Sequence, residues 1–389
     1  MSVSTHRESS YGHHKGAQDV VALVDDLLGK AVEFAASDIH FEPTSSELMV
    51  KFRLDGVLNT IERLPKSLSD NVVARLKVLG GLLTYRNDIP QEGRIQVSGP
   101  GDDDVIDRRI AVFPTIHGQR VVVRLLYKSR SLAELNQLGF SGDIFAMLKG
   151  IAAKNQGVLL LTGPAGSGKS TTLAAVLRQI LKNWPGRSVV TLEDPVEIRI
   201  DGATQVQIDP HGQMTFPTAL RSLLRQDPQV LMIGEIRDAE TARIGIEAGL
   251  TGHLLLTTMH SGTPAGALLR LLEMGIEPYQ VTSSISAVLN QRLVRRLCDN
   301  CKKRVASELF EPVGCDDCFG TGYKGRVLIA EMVQLDGQLR KAILAKADLE
   351  ELESLLLSEG HMNILVDGHR LVGDGITTQD ELNKVCGIA

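Results

Sequence analysis

The sequence has 389 residues, of which 43% are hydrophobic, 23% charged and 4% aromatic, and its formal net charge at pH 7 is −5. This length predicts two or three domains, the acidic balance argues against a surface built to grip nucleic-acid phosphates, and the few aromatic residues argue against a base-stacking platform. No apolar run is long enough for a membrane span, because Glu247 and His253 interrupt the best candidate, 244–259. Residues 1–18 lack the apolar core of a signal peptide, so we expect a cytoplasmic protein.

Residues 19–127 are predicted to form a small α/β domain, which follows a polar, aperiodic and therefore disordered tail over 1–18. Apolar residues at helical spacing over 20–32 predict a first helix. The segment "ELMVKFRLDGVL" alternates in the manner of a strand, and its Asp55-Gly56 pair predicts a hairpin turn. Farther along, "NVVARLKVLGGLL" predicts a second helix, and "RIQVSG", "RRIAVFPT" and "GQRVVVRLLY" predict three more strands.

A linker over 128–140 leads to a second α/β domain over 141–389. Its predicted strands are "GVLLLTG", "RSVVTLEDP", "ATQVQI", "QVLMIGEI" and "HLLLTTMH", and helical segments separate them. Nearly continuous apolar strands that alternate with helices predict a mostly parallel sheet covered on both faces. The segment "LRKAILAKADLEELESLLLSEG" predicts further helices toward the C-terminus.

A glycine-rich turn follows the first strand of this domain, in "LLLTGPAGSGKSTT". The pattern G-x-x-x-x-G-K-[ST] predicts a loop whose N–H groups curl around phosphate oxygens, at a helix N-terminus that adds partial positive charge. In such a loop Lys169 reaches the β- and γ-phosphates, Ser170 offers its hydroxyl to Mg²⁺, and Thr171 caps or contacts the α-phosphate. The alternative is a chance glycine turn before a helix. The predicted ATP-binding residues are Gly163, Pro164, Ala165, Gly166, Ser167, Gly168, Lys169, Ser170, Thr171 and Thr172.

Two further strands end in carboxylates, which hydrolysis of a bound nucleotide would need. Glu235 follows the apolar run in "QVLMIGEIRDAE", and Gly234 occupies the place of the usual metal-holding aspartate, so Glu235 is the predicted water-activating base. Glu193 and Asp194 end the strand in "VVTLEDPVE", where they can complete the Mg²⁺ shell or position water. The alternative for each carboxylate is a solvated strand end.

A third buried strand, in "GHLLLTTMHSGT", ends in Thr257, Thr258 and His260. In open parallel sheets ligands bind beyond the carboxyl ends of the strands, so this polar cluster can sense the γ-phosphate. His253, at the start of the same strand, is equally consistent with a purely structural role.

The small domain carries arginines on its predicted strands, namely Arg94, Arg109, Arg120 and Arg124. Positive charge delivered to a transferring phosphate accelerates phosphoryl transfer, which makes them candidates. Their spacing alone favours the plainer interpretation that they solvate one face of a half-exposed sheet.

Four cysteines form the pattern C-x2-C-x13-C-x2-C, namely Cys298, Cys301, Cys315 and Cys318. Two such pairs predict a tetrahedral zinc site, although their separation is below the usual 15 to 20 or so residues. A redox dithiol or free thiols are the alternatives. The flanking cations either solvate this module or face an acidic partner: Arg292, Arg295, Arg296, Lys302, Lys303 and Arg304. Cys386 receives no role.

The order of motifs over about 19–335 is "ASDIHFEP", "FRLDGVL", "PQEGRI", "PTIHGQRVVVRLL", "GPAGSGKSTT", "TLEDPVE", "GEIRDAETA", "GLTGHLLLTTMHSGT", "QRLVRRLC" and "GTGYKGR". This set resembles the type II secretion and type IV pilus assembly ATPases. The resemblance implies a RecA-like P-loop ATPase domain, a preceding PAS-like small α/β domain and a zinc-binding tetracysteine insertion.

The same resemblance implies a function and its partners. It implies a cytoplasmic homo-hexamer that uses ATP and Mg²⁺, associates with the inner membrane through a platform protein, contacts no nucleic acid directly, and adds pilin or pseudopilin subunits to a fibre. "LEDPVE" corresponds to the family's Asp box, "GEIRDAETA" to its atypical Walker B motif, and His253 and His260 to its His box. Arg94 and Arg109 match arginines that approach the phosphates, which overrides the plainer interpretation of these two.

Three departures and three alternatives accompany the resemblance. The chain is expected to lack the family's extra N-terminal docking domain, the segment between the cysteine pairs is short, and Arg108 in "RRIAVFPT" competes with Arg109 for the phosphate role. The alternatives are a pilus retraction motor, a RecA-like motor that translocates nucleic acid, and a nucleotide-gated scaffold without hydrolysis. The tetracysteine module, which is typical of assembly motors, favours assembly over retraction.

Overall fold

The fold is that of a computed structural model, which describes residues 17–95, 105–127, 134–209, 212, 214–305 and 309–388. The chain divides into two compact units, Met1–Ser131 and Leu132–Ala389. Residues 1–16 of the predicted tail and 128–133 of the predicted linker lie outside the described residues. No helix in the described part of the chain combines the length and the apolar character needed to cross a membrane.

The first unit is an antiparallel sheet with two helices packed against its core residues. Its elements are α1 (Ala17–Glu33), β1 (Asp38–Pro43), β2 (Glu47–Leu54), β3 (Val57–Pro65), α2 (Ser69–Leu79), β4 (Gln91–Ile95), β5 (Val105–Thr115) and β6 (Gly118–Tyr127). The strand order is β3-β2-β1-β6-β5-β4. The predicted hairpin joins β2 to β3, where Asp55 and Gly56 both adopt the positive φ of a tight hairpin turn (φ 48° and 86°).

The second unit is built on a seven-stranded sheet. Its elements are α3 (Gly142–Ala152), β7 (Gly157–Thr162), α4 (Lys169–Asn183), β8 (Val189–Glu193), β9 (Thr204–Gln207), α5 (Phe216–Leu223), β10 (Val230–Ile233), α6 (Ala239–Leu250), β11 (Leu254–Met259), α7 (Pro264–Glu273), α8 (Pro278–Ser284), β12 (Ile285–Leu297), β13 (Lys303–Arg304), β14 (Phe310–Glu311), β15 (Tyr323–Gln334), α9 (Gly337–Leu344), α10 (Leu349–Ser358), α11 (Ile364–Gly373) and α12 (Gln379–Cys386). The order is β15-β12-β7-β11-β10-β8-β9, and only β15 runs antiparallel to its neighbour.

Helices cover both faces of this sheet, so its central strands have no solvated side. Every residue of β7, β8, β10 and β11 is buried, which explains their nearly continuous apolar sequences. The side chains that alternate along β7 enter two separate core clusters: Val158 and Leu160 pack in one, and Leu159 and Leu161 in the other. This confirms the predicted α/β class and places the carboxyl ends of the parallel strands along one edge.

Two long strands, β12 and β15, were not predicted. Their apolar pattern is broken by three buried polar residues, Asn290, Gln291 and Glu331. Asn290 on β12 and Glu331 on β15 lie opposite each other in the ladder, and the amide of Asn290 donates to the Glu331 carboxylate at 2.7 Å. Asn290 and Glu331 can therefore occupy these core strands because their side chains are hydrogen-bonded to each other.

Candidate functional site

The glycine-rich loop joins β7 to α4. Gly163, Gly166 and Gly168 all adopt positive φ angles (138°, 74° and 89°), a conformation that glycine tolerates and side chains oppose. The Lys169 ammonium donates to the carbonyl oxygens of Gly163 and Pro164, at 2.8 and 3.0 Å. Burial lowers the pKa of Lys169, and Glu235 opposes that shift. The loop thus places a half-buried cation and the start of a helix together, a combination that can hold phosphate oxygens.

A cavity of about 240 Å³ lies beside this loop. Residues that line it include Gly166, Lys169, Ser170, Glu193, Glu235 and His260. These residues come from the loop and from the carboxyl ends of β8, β10 and β11, the edge at which open parallel sheets bind ligands.

Not every residue of the predicted loop faces the cavity. Ser170 and Ala165 are exposed and line it, and Thr171 is exposed as well. Ser167 and Thr172 are buried, at 3% and 2% exposure. Their side chains are therefore withdrawn from the cavity, and their N–H groups donate to the carbonyl oxygens of Pro164 and Gly168, at 3.3 and 3.0 Å.

Glu235 stands one residue beyond Gly234 at the end of β10. Its Oε1 lies 3.1 Å from Nε2 of His260, and its Oε2 accepts from Nε of Arg237 at 2.9 Å. Thr258 on β11 donates its hydroxyl to the Gly234 carbonyl at 2.8 Å, which ties the two strand ends together. The carboxylate thus accepts from Arg237 on one oxygen and lies beside the His260 imidazole on the other, and it lines the cavity.

Glu193, the last residue of β8, is held differently. It is buried, and its Oε1 accepts from the hydroxyl of Thr191 at 2.7 Å and from the amide of Gln205 on β9 at 3.1 Å. Asp194 and Pro195 follow it and also line the cavity. Thr191 and Gln205 both donate to the same oxygen, so the sheet fixes the Glu193 side chain through Oε1.

The two histidines of the third strand lie at opposite ends of β11. His260 follows its carboxyl end and lines the cavity. His253 precedes its amino end, where its Nδ1 lies 3.2 Å from the carbonyl oxygen of Ala248. Thr257, between them, is fully buried and does not line the cavity. The structure therefore brings His260, and not His253 or Thr257, to the loop.

In the first unit, β4 and β5 place Arg94 directly opposite Arg109. Both lie near the Asp107 carboxylate, at 3.6 and 3.3 Å, with side chains that are 72% and 50% exposed. Arg108 is instead buried, at 7% exposure. Arg124 pairs with Asp38, at 3.0 Å. Within this unit Arg94 and Arg109 share an exposed face from which Arg108 is excluded.

The four cysteine thiols form one cluster. Their Sγ atoms all lie within 4.8 Å of one another, with separations of 3.9 Å for Cys298 and Cys315, 3.6 Å for Cys301 and Cys318, and 3.7 Å for Cys315 and Cys318. A tetrahedral ion with bonds of about 2.3 Å to sulfur requires separations of about 3.8 Å. The donor set therefore has the size that such a metal ion needs.

Backbone donors also prepare this cluster for negative charge. The N–H groups of Cys315 and Gly322 both donate to Sγ of Cys318 at 3.2 Å. Burial opposes ionisation of Cys318, but these two donors, together with the thiols of Cys301 and Cys315, outweigh it and lower the pKa of Cys318 to about 7. Burial raises the pKa of Cys301 to about 12. Because four thiolates at this spacing repel each other, a bound cation is what would let them ionise together.

Four residues near the cavity were not singled out from the sequence. Arg237 contacts Glu235, Thr191 and Gln205 hold Glu193, and Gln291 donates to the Ser167 carbonyl at 2.8 Å. Because Arg237 follows Glu235 by two residues in the same motif, its contact with Glu235 could have been predicted from the sequence. Gln205 and Gln291 come from distant parts of the chain, and their contacts depend on the strand order.

Comparison with known proteins identifies the family. The family model described as "Type II/IV secretion system protein" matches residues 13–384. The chain is 40% identical to a type IV pilus assembly ATPase PilB of Thermus thermophilus, over 92% of this chain and 42% of that protein. It is also 40% identical to a putative type II secretion system protein E of Escherichia coli, over 95% of this chain and 77% of that protein. It is 39% identical to the type II secretion system ATPase E of Vibrio cholerae, over 94% of this chain and 75% of that protein.

Two solved structures share the fold. The Legionella pneumophila ATPase DotB matches with a TM-score of 0.68 at 22% identity, over 95% of this chain and 96% of that one. The pilus retraction motor PilT with bound ADP matches with a TM-score of 0.60 at 23% identity, over 92% and 96%. The chain spans less than half of the Thermus protein and about three quarters of the Escherichia and Vibrio proteins. From the family match and the identities of 40%, 40% and 39% to these three proteins, the chain belongs to the type II/IV secretion system protein family, the secretion and pilus assembly ATPases.

Proposed function

We propose that this protein is the cytoplasmic hexameric ATPase that hydrolyses ATP to drive assembly of pilin or pseudopilin subunits in a type IV pilus or type II secretion machine. The observation that carries the proposal is the cavity in which a glycine-rich loop with Lys169 meets Glu235. Relatives named as a pilus assembly ATPase and a secretion ATPase, at 40% and 39% identity, support the assignment to fibre assembly.

In the proposed reaction, the loop N–H groups and Lys169 bind the β- and γ-phosphates. Lys169 would then leave the Gly163 and Pro164 carbonyls to which it now donates, because the phosphate oxygens are stronger acceptors. Ser170 would hold Mg²⁺, which neutralises charge on the phosphates when it is bound. Glu235 takes a proton from the attacking water, and His260 and Arg237 orient its carboxylate.

Glu193 and the arginines of the first unit complete the proposed site. Glu193, fixed by Thr191 and Gln205, positions water or an Mg²⁺-bound water through its second oxygen. Arg94 and Arg109 supply positive charge to the phosphates. Their exposed face supports this role for Arg109 and argues against Arg108, which is buried.

The tetracysteine cluster is proposed to hold Zn²⁺ as a structural ion. Its sulfur separations fit the ion, and all four ligands are protein side chains, which leaves no open position for a reaction. The proposed partners are five further copies of this chain and the platform protein of the inner membrane, through which the protein would associate with the membrane peripherally. No direct contact with nucleic acid is proposed, in keeping with the net charge of −5.

The proposal is tested by measuring phosphate release from ATP by the purified oligomer with Mg²⁺, alone and with single-stranded DNA. We expect turnover that requires Mg²⁺, does not respond to DNA, and disappears in Lys169→Ala together with nucleotide binding. In the host, the Lys169→Ala allele should block fibre assembly or secretion. A wild-type oligomer that binds no ATP would contradict the proposal, and stimulation by DNA would favour a nucleic-acid motor.

A further inference from the structure

Strand β12 runs beside β7, and Gln291 lies where the two strands part. Their last paired residues are Asn290 and Thr162, so Gln291 is level with the glycine-rich loop that follows Thr162. The Gln291 side chain is fully buried, and its Nε2 donates to the carbonyl oxygen of Ser167 at 2.8 Å. A residue more than a hundred positions away in the sequence therefore holds one peptide group of the loop.

That peptide group joins Ser167 to Gly168. The one cis peptide among the described residues is Asp194-Pro195, so this group is trans, and its C=O and N–H point in opposite directions. Because Gln291 draws the carbonyl toward β12, the N–H of Gly168 is turned away from β12. Gly168 is the residue immediately before α4, where backbone N–H groups bind phosphate in loops of this kind.

The loop also has little room to move against Gln291. A methyl group added to Gly163 would lie 2.3 Å from the Gln291 carbonyl oxygen, and one added to Gly168 would lie 3.2 Å from Gln291 Nε2. Both glycines therefore pack directly on this residue. The Gln291 carbonyl leaves no room for a side chain at Gly163, at the start of the loop, and the Gln291 side-chain amide restricts the space at Gly168, at its end.

The amide is otherwise a poor choice for this position. Its Oε1 is buried, and so is the hydroxyl of Ser167, and neither has a hydrogen-bond partner among the described residues. An apolar side chain of the same size would avoid burying an unpaired oxygen. Among the described residues, the hydrogen bond from Gln291 Nε2 to the Ser167 carbonyl is thus the one contact that favours glutamine over an apolar residue at this position.

We infer that Gln291 is a positioning residue of the nucleotide site, which fixes the Ser167–Gly168 peptide so that the Gly168 N–H faces the phosphate chain. This inference rests on the proposed function, since it requires that the loop bind a nucleotide. It assigns Gln291 no contact with the nucleotide itself. It also predicts that the amide matters for phosphate binding more than for folding.

The test is the variant Gln291→Met, which keeps the volume and removes the donor. We expect the Kd for Mg·ADP to rise about tenfold, because the loss of one buried hydrogen bond changes a binding constant by about that factor. The KM for ATP should rise with it, kcat should change little, and the unfolding midpoint of the nucleotide-free protein should stay unchanged or rise. The matched control is Gln229→Met. It removes the hydrogen bond that the Gln229 side-chain oxygen accepts from the Ser188 N–H at 3.1 Å, at the amino ends of β8 and β10. The control should keep the wild-type Kd.

The possible outcomes separate this inference from the proposed function. A Gln291→Met protein that binds Mg·ADP like the wild type would overturn the inference and leave the ATPase assignment standing. If that variant does not fold, Gln291→Asn, whose amide is one methylene too short, should show the same rise in Kd, and a wild-type Kd would overturn the inference. A wild-type protein that binds no Mg·ADP would overturn both.

Discussion

Glu235 and His260 stand at the ends of two neighbouring parallel strands, with Oε1 of the carboxylate 3.1 Å from Nε2 of the imidazole. Arg237 donates to the other oxygen at 2.9 Å. The contacts with Arg237 and His260 use only part of the lone pairs of the carboxylate, which can therefore still accept a proton. The pair therefore orients the proposed base, and the register of β10 and β11 sets its geometry.

Replacing His260 by Gln should lower kcat about ten- to a hundredfold, because Glu235 loses an orienting contact of the strength typical for a charged partner. The affinity for ATP should change little, since His260 is not part of the loop. Steady-state phosphate release and nucleotide binding measure the two effects separately. His369→Gln, on an exposed helical surface, is the control. Full turnover in His260→Gln would remove His260 from the site.

The contact that fixes Glu193 can be measured through stability. Thr191→Val removes the hydroxyl that donates to the buried carboxylate and should lower the free energy of unfolding by about 1–3 kcal/mol. Thr257→Val is a matched control on the same sheet, because the buried Thr257 hydroxyl has no partner among the described residues. That control should be neutral or stabilising. Urea unfolding followed by the single tryptophan, Trp184, reports on this unit. Equal losses in both variants would contradict the role given to Thr191.

The metal centre predicts a specific loss. Cys301→Ser should abolish the expected content of one zinc ion per chain and lower the unfolding temperature, because binding of a structural ion stabilises the folded state. Cys386→Ser removes a thiol that is not part of the cluster and should keep the metal. Elemental analysis after purification, repeated after treatment with a chelator, gives the result. Wild-type protein purified without zinc, yet equally stable, would contradict the structural role.

A buried ion pair should make the stability of the second unit depend on pH. Glu381 on α12 accepts from the Arg295 guanidinium at 2.6 Å and from the Arg295 backbone N–H at 3.2 Å. Burial raises the pKa of Glu381, but the bonds and charge of Arg295 outweigh it, so the pKa lies below its ordinary value of 4.5.

Because the pKa of Glu381 is lower in the folded state, its stabilisation is fully present above about pH 4.5 and is lost as the pH falls through the folded pKa. Glu381→Gln should therefore be about 2 kcal/mol less stable than the wild type at pH 7. The difference should shrink toward zero at acidic pH. Urea unfolding of both proteins from pH 7 to pH 3 tests this, and a difference that grows with acidity would contradict it.

The sequence predicted the parts of the fold that follow from local physical demands. A strand buried on both faces must be apolar, which made β7, β10 and β11 visible, and the loop after β7 needs glycines because of its positive φ angles. Each cysteine pair is local in sequence. Antiparallel pairing of β12 with β15, whose ladder ends at Leu297 and Tyr323, then brings the two pairs together.

The contacts that depend on strand order could not be predicted in the same way. Gln205 reaches Glu193 because β9 lies beside β8, and Gln291 reaches the loop because β12 lies beside β7. Neither contact has a sequence pattern. β12 and β15 themselves were missed because Asn290 and Glu331, which form a hydrogen bond inside the core, break the apolar pattern. Nothing in the sequence around Arg94 and Arg109 indicates a role at the phosphates. That prediction comes from the family resemblance alone.

The central claim is that Glu235 activates the water that splits ATP bound at the glycine-rich loop. The most direct measurement compares wild type with Glu235→Gln, in which the amide keeps the shape of the side chain and loses the base. We predict that the variant oligomer binds Mg·ATP with wild-type affinity and releases phosphate at least about a hundredfold more slowly. Turnover at the wild-type rate in this variant would contradict the account.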